Sequence, residues 1–298
     1  MPRLLYSLCW LVSLLPMWLL YGLSDCVYPV VRFIVRYRRD VVRQNLASAF
    51  PEKTTKELRR IEAGFYHQLC DCFVENIKVT TMSRRQMMRR MTFGGLDTLR
   101  ETFASGQQFA FVFLGHLGNW EWIASLQYWL SDVHCTQIYH RLRNRAADEF
   151  FLRNRQKYGG ECIKMKNTLR RLVALRKDNR KVVVGFIADQ QPKWNAIHHF
   201  TPFLNHDTAV FTGTEHIAKT FGASVFYGHV TRLRRGHYHC EFVRITDTPS
   251  AFPDFDLTDR YMQMLEQDIR LNPSLWLWSH KRWSRTKEQW LKRQKNAT

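Results

Sequence analysis

His116 and Glu121 are the residues of this chain whose types and spacing suit acid–base chemistry. They lie in Gly115-His116-Leu117-Gly118-Asn119-Trp120-Glu121, directly after the apolar run Phe109-Ala-Phe-Val-Phe-Leu114. That spacing does not fit one helical face, because at roughly 100° per residue the two side chains would point about 140° apart. They converge only if the chain bends between them, and Gly118 gives it that freedom. The apolar run reads as a buried strand. His116 is then expected at the C-terminal end of a strand and Glu121 in the first turn of a helix, where open α/β sheets place their active sites. A histidine oriented by a carboxylate is the base half of a catalytic triad. No nucleophile accompanies it: there is no G-x-S-x-G, and no Cys in a fitting setting. The base would act on a substrate hydroxyl, whose oxygen attacks a carbonyl, and such help contributes about 10²–10⁴-fold. Main-chain N–H groups at the start of the following helix could assist an oxyanion. On these two residues alone, a capped helix start with a hydrogen-bonded histidine is the competing reading.

The elements that must position this turn are legible around it. Thr54-x-x-Glu57 after Pro51 is a capping box, and Leu58, Ile61, Phe65, Leu69, Cys72 and Phe73 continue it as a helix to about Lys78. Ser83 caps a short basic helix. Helices are expected over 96–104, 120–130, 146–158, 168–177, 213–221 and 258–271, and strands over 109–114, 135–139, 161–163 and 181–188. Ser224–Leu233 and His237–Ile245 form a hairpin around Arg235-Gly236. Helices alternating with strands point to an α/β fold with a mostly parallel central sheet flanked by helices.

The chain has 298 residues and a formal net charge of +19, from 45 Lys+Arg against 26 Asp+Glu. A balance that basic implies an anionic partner. Leu4–Leu23 carries no formal charge and is long enough, at about 1.5 Å per residue, for one transmembrane helix. A second apolar run, Val27–Val35, is followed by Arg36, Arg38, Arg39 and Arg43, which argues that the remainder of the chain stays in the cytoplasm. We therefore expect a membrane anchor with a basic juxtamembrane segment over 1–40 and one domain over 41–298. The seven cysteines form no CxxC pair and read as reduced thiols. His198-His199, His206 and His237-x-His239 match no zinc spacing, so no metal site is expected. No nucleotide or cofactor loop is present either, and no nucleic-acid motif. The Arg170-Arg171 and Arg234-Arg235 pairs read as solvated.

The Gly115–Glu121 stretch resembles the H-x4-D/E motif of glycerolipid and lipid A acyltransferases, and is most similar to the late lipid A acyltransferases, the lauroyl/myristoyl transferases of Gram-negative bacteria. Further blocks agree in order: Arg43-Gln-Asn45-Leu46 through Phe50-Pro51; Ile138-Tyr139 through Asn144 with Arg155 beyond; Val184 to Asp189-Gln190; and Pro273 followed by Trp276-Leu-Trp278-Ser-His280-Lys-Arg282-Trp283. The resemblance implies an inner-membrane acyltransferase with its catalytic domain on the cytoplasmic face. It would move a fatty acyl chain from acyl carrier protein, its co-substrate, to a hydroxyl of a phosphorylated lipid A precursor, with no other cofactor. A lysophospholipid or aminolipid acceptor is the alternative within the same chemistry, and a non-catalytic basic protein binding anionic lipid the alternative outside it. By resemblance His116 is the base and Glu121 its orienting partner. Arg155, Asp189, Gln190, Asn119, His280 and Arg282 carry over as substrate-site candidates. Glu121 stands where many relatives have Asp, and Asp189-Gln190-Gln191 departs from the family's Asp-His version.

Overall fold

The computed structural model describes residues 2–296, so Met1, Ala297 and Thr298, at the ends of the two expected domains, lie outside it. Nine strands are described: β1 (Met91–Gly94), β2 (Phe109–Leu114), β3 (His134–Tyr139), β4 (Glu161–Lys164), β5 (Val182–Ile187), β6 (Phe200–Phe203), β7 (His206–Ala209), β8 (Ser224–Arg234) and β9 (His237–Thr246). Seven of them make one sheet in the order β1-β9-β8-β2-β5-β3-β4, parallel at every pairing except β8 with β9; β6 and β7 form a separate hairpin. The mostly parallel sheet expected from the alternating pattern is therefore present. Its centre is β2, flanked by β5 and β8, and all six of its residues are buried. A strand covered on both faces needs apolar side chains in both directions, which is why this segment is continuously hydrophobic rather than alternating.

The α-helices are α1 (Pro2–Ser13), α2 (Met17–Pro29), α3 (Arg39–Ala49), α4 (Thr55–Val79), α5 (Arg84–Arg90), α6 (Leu96–Ala104), α7 (Arg145–Gln156), α8 (Thr168–Lys177), α9 (Gly213–Phe221), α10 (Asp256–Leu271) and α11 (Lys287–Lys295). The capping box of α4 is formed in both directions: Glu57 donates its N–H to Thr54 Oγ1 at 3.3 Å, and Thr54 donates its N–H to Glu57 Oε2 at 2.7 Å. The 120–130 segment is helical but wound as a 3₁₀-helix over Trp120–Tyr128. A nine-residue 3₁₀ run is long for this geometry, which usually serves short pieces and functional segments.

The expected single transmembrane helix over Leu4–Leu23 is not formed. Pro16 has no N–H to continue α1, and the chain turns there: Tyr6–Ser13 and Met17–Ile34 are bent by 119° relative to each other. Among the described residues no single helix is long and apolar enough to cross a membrane; only this bent pair is, taken together. The bend is braced by the end of α4. Lys78 Nζ donates to the carbonyls of Ser13 (2.8 Å) and Leu15 (2.9 Å), and Thr81 Oγ1 donates to Ser13 O at 2.6 Å. The pair packs on α4 and leaves Leu8, Leu11, Trp18, Phe33 and Ile34 exposed; Phe73 of α4 is exposed as well.

Arg235 corrects the solvated reading of its pair. Its guanidinium reaches from the β8–β9 turn to Asp71 of α4 (2.6 Å) and Asp25 of α2 (2.6 Å), and lies over the Tyr21 ring. Arg171 is likewise engaged, by Glu161 at 2.7 Å. All seven cysteines are free thiols.

Candidate active site

β2 delivers its C-terminal end into a turn held from three sides. Gly118 takes φ +57°, the left-handed conformation that glycine adopts without strain, and supplies the bend expected of it. Its N–H donates to Leu275 O at 3.0 Å and its carbonyl accepts from Cys72 Sγ at 3.1 Å. A side chain at this position would press on the Tyr238 ring, so glycine is required for space as well as for conformation.

His116 emerges from this turn with its Nδ1 on Asp189 Oδ1 at 2.5 Å. The same carboxylate accepts the His116 main-chain N–H (2.9 Å) and the Trp276 indole N–H (2.8 Å) on Oδ2. Asp189 follows β5, the immediate neighbour of β2, so two adjacent parallel strands bring the histidine and the aspartate together at their C-terminal ends. Burial alone would push the Asp189 carboxyl up; the His116 side chain, then these hydrogen bonds, outweigh it and bring it down to about 2. With Nδ1 turned to Asp189, Nε2 is the ring nitrogen that faces away from the carboxylate. Gln190 turns its Nε2 to that nitrogen at 3.3 Å. Trp120 stands edge-on to the imidazole, 5.0 Å between centroids.

The expected pairing of His116 with Glu121 is thus corrected. Glu121 is held by Arg155 instead, with Nε and Nη2 each donating to one carboxylate oxygen at 2.6 Å. The reason is directional: Glu121 lies in the first turn of the 3₁₀-helix and faces α7, where Arg155 sits, whereas the bend turns His116 toward β5. Burial acts against the guanidinium charge, but the Glu121 carboxylate more than offsets it, and the Arg155 pKa is raised. Arg155 therefore has its fork occupied by a carboxylate of its own chain, and the pair ties α7 to the segment that carries Trp120.

The chain that carries this histidine and aspartate matches a known group along nearly its whole length. The profile of the bacterial lipid A biosynthesis acyltransferases matches residues 4–285. The chain belongs to that family. It is 23% identical over 277 residues to the lipid A biosynthesis palmitoleoyltransferase of Escherichia coli (strain K12), covering 92% of this chain and 87% of the relative. It is equally similar, over the same shares, to the lipid A biosynthesis acyltransferase of Shigella flexneri.

In this acyltransferase the other expected contacts divide. Gln190 is at His116 Nε2, as described. Asn119 does not line the site: it is buried and donates its Nδ2 to Glu75 Oε2 at 2.7 Å. His280 accepts the Gln191 N–H on Nε2 at 3.1 Å, and burial followed by the nearby Arg282 charge lowers its pKa to about 4, so it is a neutral acceptor that holds the Asp189-Gln190-Gln191 strip. Arg282 is fully buried, and none of its guanidinium nitrogens has a hydrogen-bond partner among the described residues. Burial lowers its pKa to about 10, and Asp189 is the first group that opposes this. It acts on the site as a buried positive charge near Asp189 rather than as an exposed substrate contact. Sequence reasoning placed Trp276 only within a motif and missed its bond to Asp189. It missed Glu75 altogether, since a glutamate inside a long helix carries no local signal of burial.

Proposed function

We propose that this acyltransferase moves a fatty acyl chain from acyl carrier protein to a hydroxyl of a phosphorylated lipid A precursor, with His116 as general base oriented by Asp189. His116 Nε2 takes the proton of the acceptor hydroxyl as its oxygen attacks the thioester carbonyl. The tetrahedral intermediate then expels the carrier's thiolate, which receives that proton, and an ester remains on the acceptor. Asp189 keeps Nδ1 protonated and stabilises the imidazolium that forms in between. The observation that carries the reading is the pairing of His116 Nδ1 with Asp189, which leaves Nε2 directed at Gln190. The family and the names of the two relatives support the lipid A acceptor.

Residues 1–40 are proposed to seat the enzyme on the inner membrane, with the domain over 41–298 on its cytoplasmic face. The bent pair suits one leaflet better than a full crossing: it is bent by 119°, it leaves large apolar side chains exposed, and basic residues follow it. Arg38 links the two parts, donating its Nη1 to Ser279 O at 2.9 Å, next to His280.

The test is acyl transfer by the purified protein from an acyl-acyl carrier protein, with products read by mass spectrometry. The expected product is a phosphorylated lipid A precursor heavier by one acyl group. Acylation of lysophospholipid or aminolipid alone would move the acceptor, and an unconsumed thioester would overturn the donor.

A further inference from the structure

Glu75 is, among the described residues, the most enclosed carboxylate that the chemistry above does not use. It lies in the last turns of α4 and is fully buried. Three donors converge on it from three different elements. Asn119 Nδ2, between His116 and Glu121, reaches Oε2 at 2.7 Å; Tyr238 OH, from β9, reaches Oε2 at 3.0 Å; and Tyr21 OH, from α2, reaches Oε1 at 2.9 Å. Its bonded partners are all neutral donors. Burying a carboxylate without a paired cation is expensive, and the hydrogen bonds offset only part of that. A side chain serving packing alone would be better as a methionine or leucine.

We infer that Glu75 is a positioning residue that fixes the catalytic turn through Asn119 and, through Tyr21, couples that turn to the seating of the apolar helix pair α1–α2. The inference rests on the reading of His116 as the base. Asn119 is the last residue before the 3₁₀-helix, so whatever fixes its side chain fixes where Trp120 and Glu121 begin. Trp120 in turn packs against the His116 ring. On the other side, Tyr21 belongs to the helix whose neighbours Trp18 and Leu23 are exposed. A shift of α2 on its seat therefore pulls on the same carboxylate that holds the turn. The arrangement extends outward by further bonds that stiffen it: Gln68 Nε2 donates to Tyr238 OH (2.9 Å), and Arg232 Nη1 donates to Gln68 Oε1 (2.7 Å).

Three donors aimed at two oxygens suit a carboxylate, which accepts from all of them at once and has no N–H of its own. Burial pushes Glu75 up to about 7 in spite of these bonds. The titratable groups around it are Tyr21 from α2, Asp71 and Cys72 on its own helix and Tyr238 from β9, with Arg232 and Arg235 one bonded residue further out.

The experiment uses the full-length protein on anionic phospholipid vesicles and compares Glu75→Gln, Tyr21→Phe and Glu75→Asp with wild type. For Glu75→Gln we expect kcat to fall by about tenfold or more with KM nearly unchanged, since only orientation is lost. Tyr21→Phe should show a smaller loss in the same direction, and Glu75→Asp should recover part of the rate. Vesicle binding and Tm should stay at the wild-type level for Glu75→Gln. Amide hydrogen exchange over residues 116–122 is read in parallel and needs no substrate. Faster exchange there in Glu75→Gln and Tyr21→Phe is expected even if the acyltransferase chemistry itself were misassigned, so the two failures are distinguishable. Wild-type exchange in both variants would overturn the inference. So would a rate loss that merely follows a fall in Tm, or a Glu75→Gln protein that does not fold while Tyr21→Phe exchanges as wild type.

Discussion

Two histidine–aspartate pairs in this protein have the same short contact and opposite surroundings. His116 Nδ1 meets Asp189 Oδ1 at 2.5 Å, and His229 Nδ1, on β8, meets Asp268 Oδ1, on α10, at 2.5 Å. Each aspartate takes a further donor on its other oxygen, Trp276 for Asp189 and Tyr227 OH, at 2.6 Å, for Asp268. What differs is the charge beyond the pair. Asp189 has the buried guanidinium of Arg282 acting on it. The residue opposite His229 across the β8–β9 ladder is Glu241, a second anion. Hydrogen bonding to Asp268 is the largest influence on His229 and, with the two carboxylates, raises its pKa. A general base must reach the substrate unprotonated. The two carboxylates hold His229 toward imidazolium; beside Asp189 the further charge is the buried guanidinium of Arg282. The same histidine–aspartate contact thus stands in two different fields, and the charge beyond the pair is what distinguishes them.

The sharpest way to break that comparison is to remove each histidine in turn. His116→Ala should lower kcat by about 10³-fold, the scale of general-base catalysis, with fold and vesicle binding retained. His229→Asn should leave kcat within about twofold, because it touches no reacting atom. Comparable losses in steady-state acyl transfer would show that the two pairs act alike. Arg282→Met tests the charge itself. It replaces a buried guanidinium that lacks hydrogen bonds with an apolar side chain of similar length, so stability should hold or rise. The rate should fall by about tenfold, and the acidic limb of the pH–rate profile should move upward, as expected when Asp189 loses its balancing charge. An unchanged profile would remove Arg282 from the account.

The sequence announced most of what frames this contrast. Continuous apolar runs marked β2 and β5, since strands buried on both faces need nothing else, and the helices that begin after Thr54 and Ser83 start where capping chemistry puts them. The bend at Gly118 was legible from spacing alone. The partner of His116 was not, because Asp189 is 73 positions away and meets it only when β5 lies beside β2. Glu121, close in sequence, was the nearer candidate and the wrong one. β1 and the β6–β7 hairpin carry too few apolar positions to stand out, and Pro16 was read within a span that it in fact breaks.

Glu121 and Arg155 offer a test of intermediate size. Both side chains are largely buried, so Glu121→Gln leaves a guanidinium poorly compensated and should destabilise the protein by about 3 kcal/mol. The double variant Glu121→Gln with Arg155→Met should recover much of that in thermal unfolding. A single variant as stable as wild type would mean that the pair does not tie α7 to the 3₁₀-helix.

The smallest effect belongs to the second pair and is visible only against pH. The His229 pKa in the folded protein lies above its ordinary value of 6.5, chiefly through Asp268. A group raised in the folded state contributes stability that is fully present below its unfolded pKa and is lost as pH rises through its folded pKa. His229→Asn should therefore lower Tm by a few degrees at about pH 5.5, where the imidazolium–carboxylate pair is intact, and by much less at about pH 9, where wild type has lost the same contribution. The deficit must shrink with rising pH if the imidazolium is what the two carboxylates hold. A deficit that is equal at both ends would mean that His229 stabilises by packing alone, and that the second pair, too, has its charge set by something other than the anions around it.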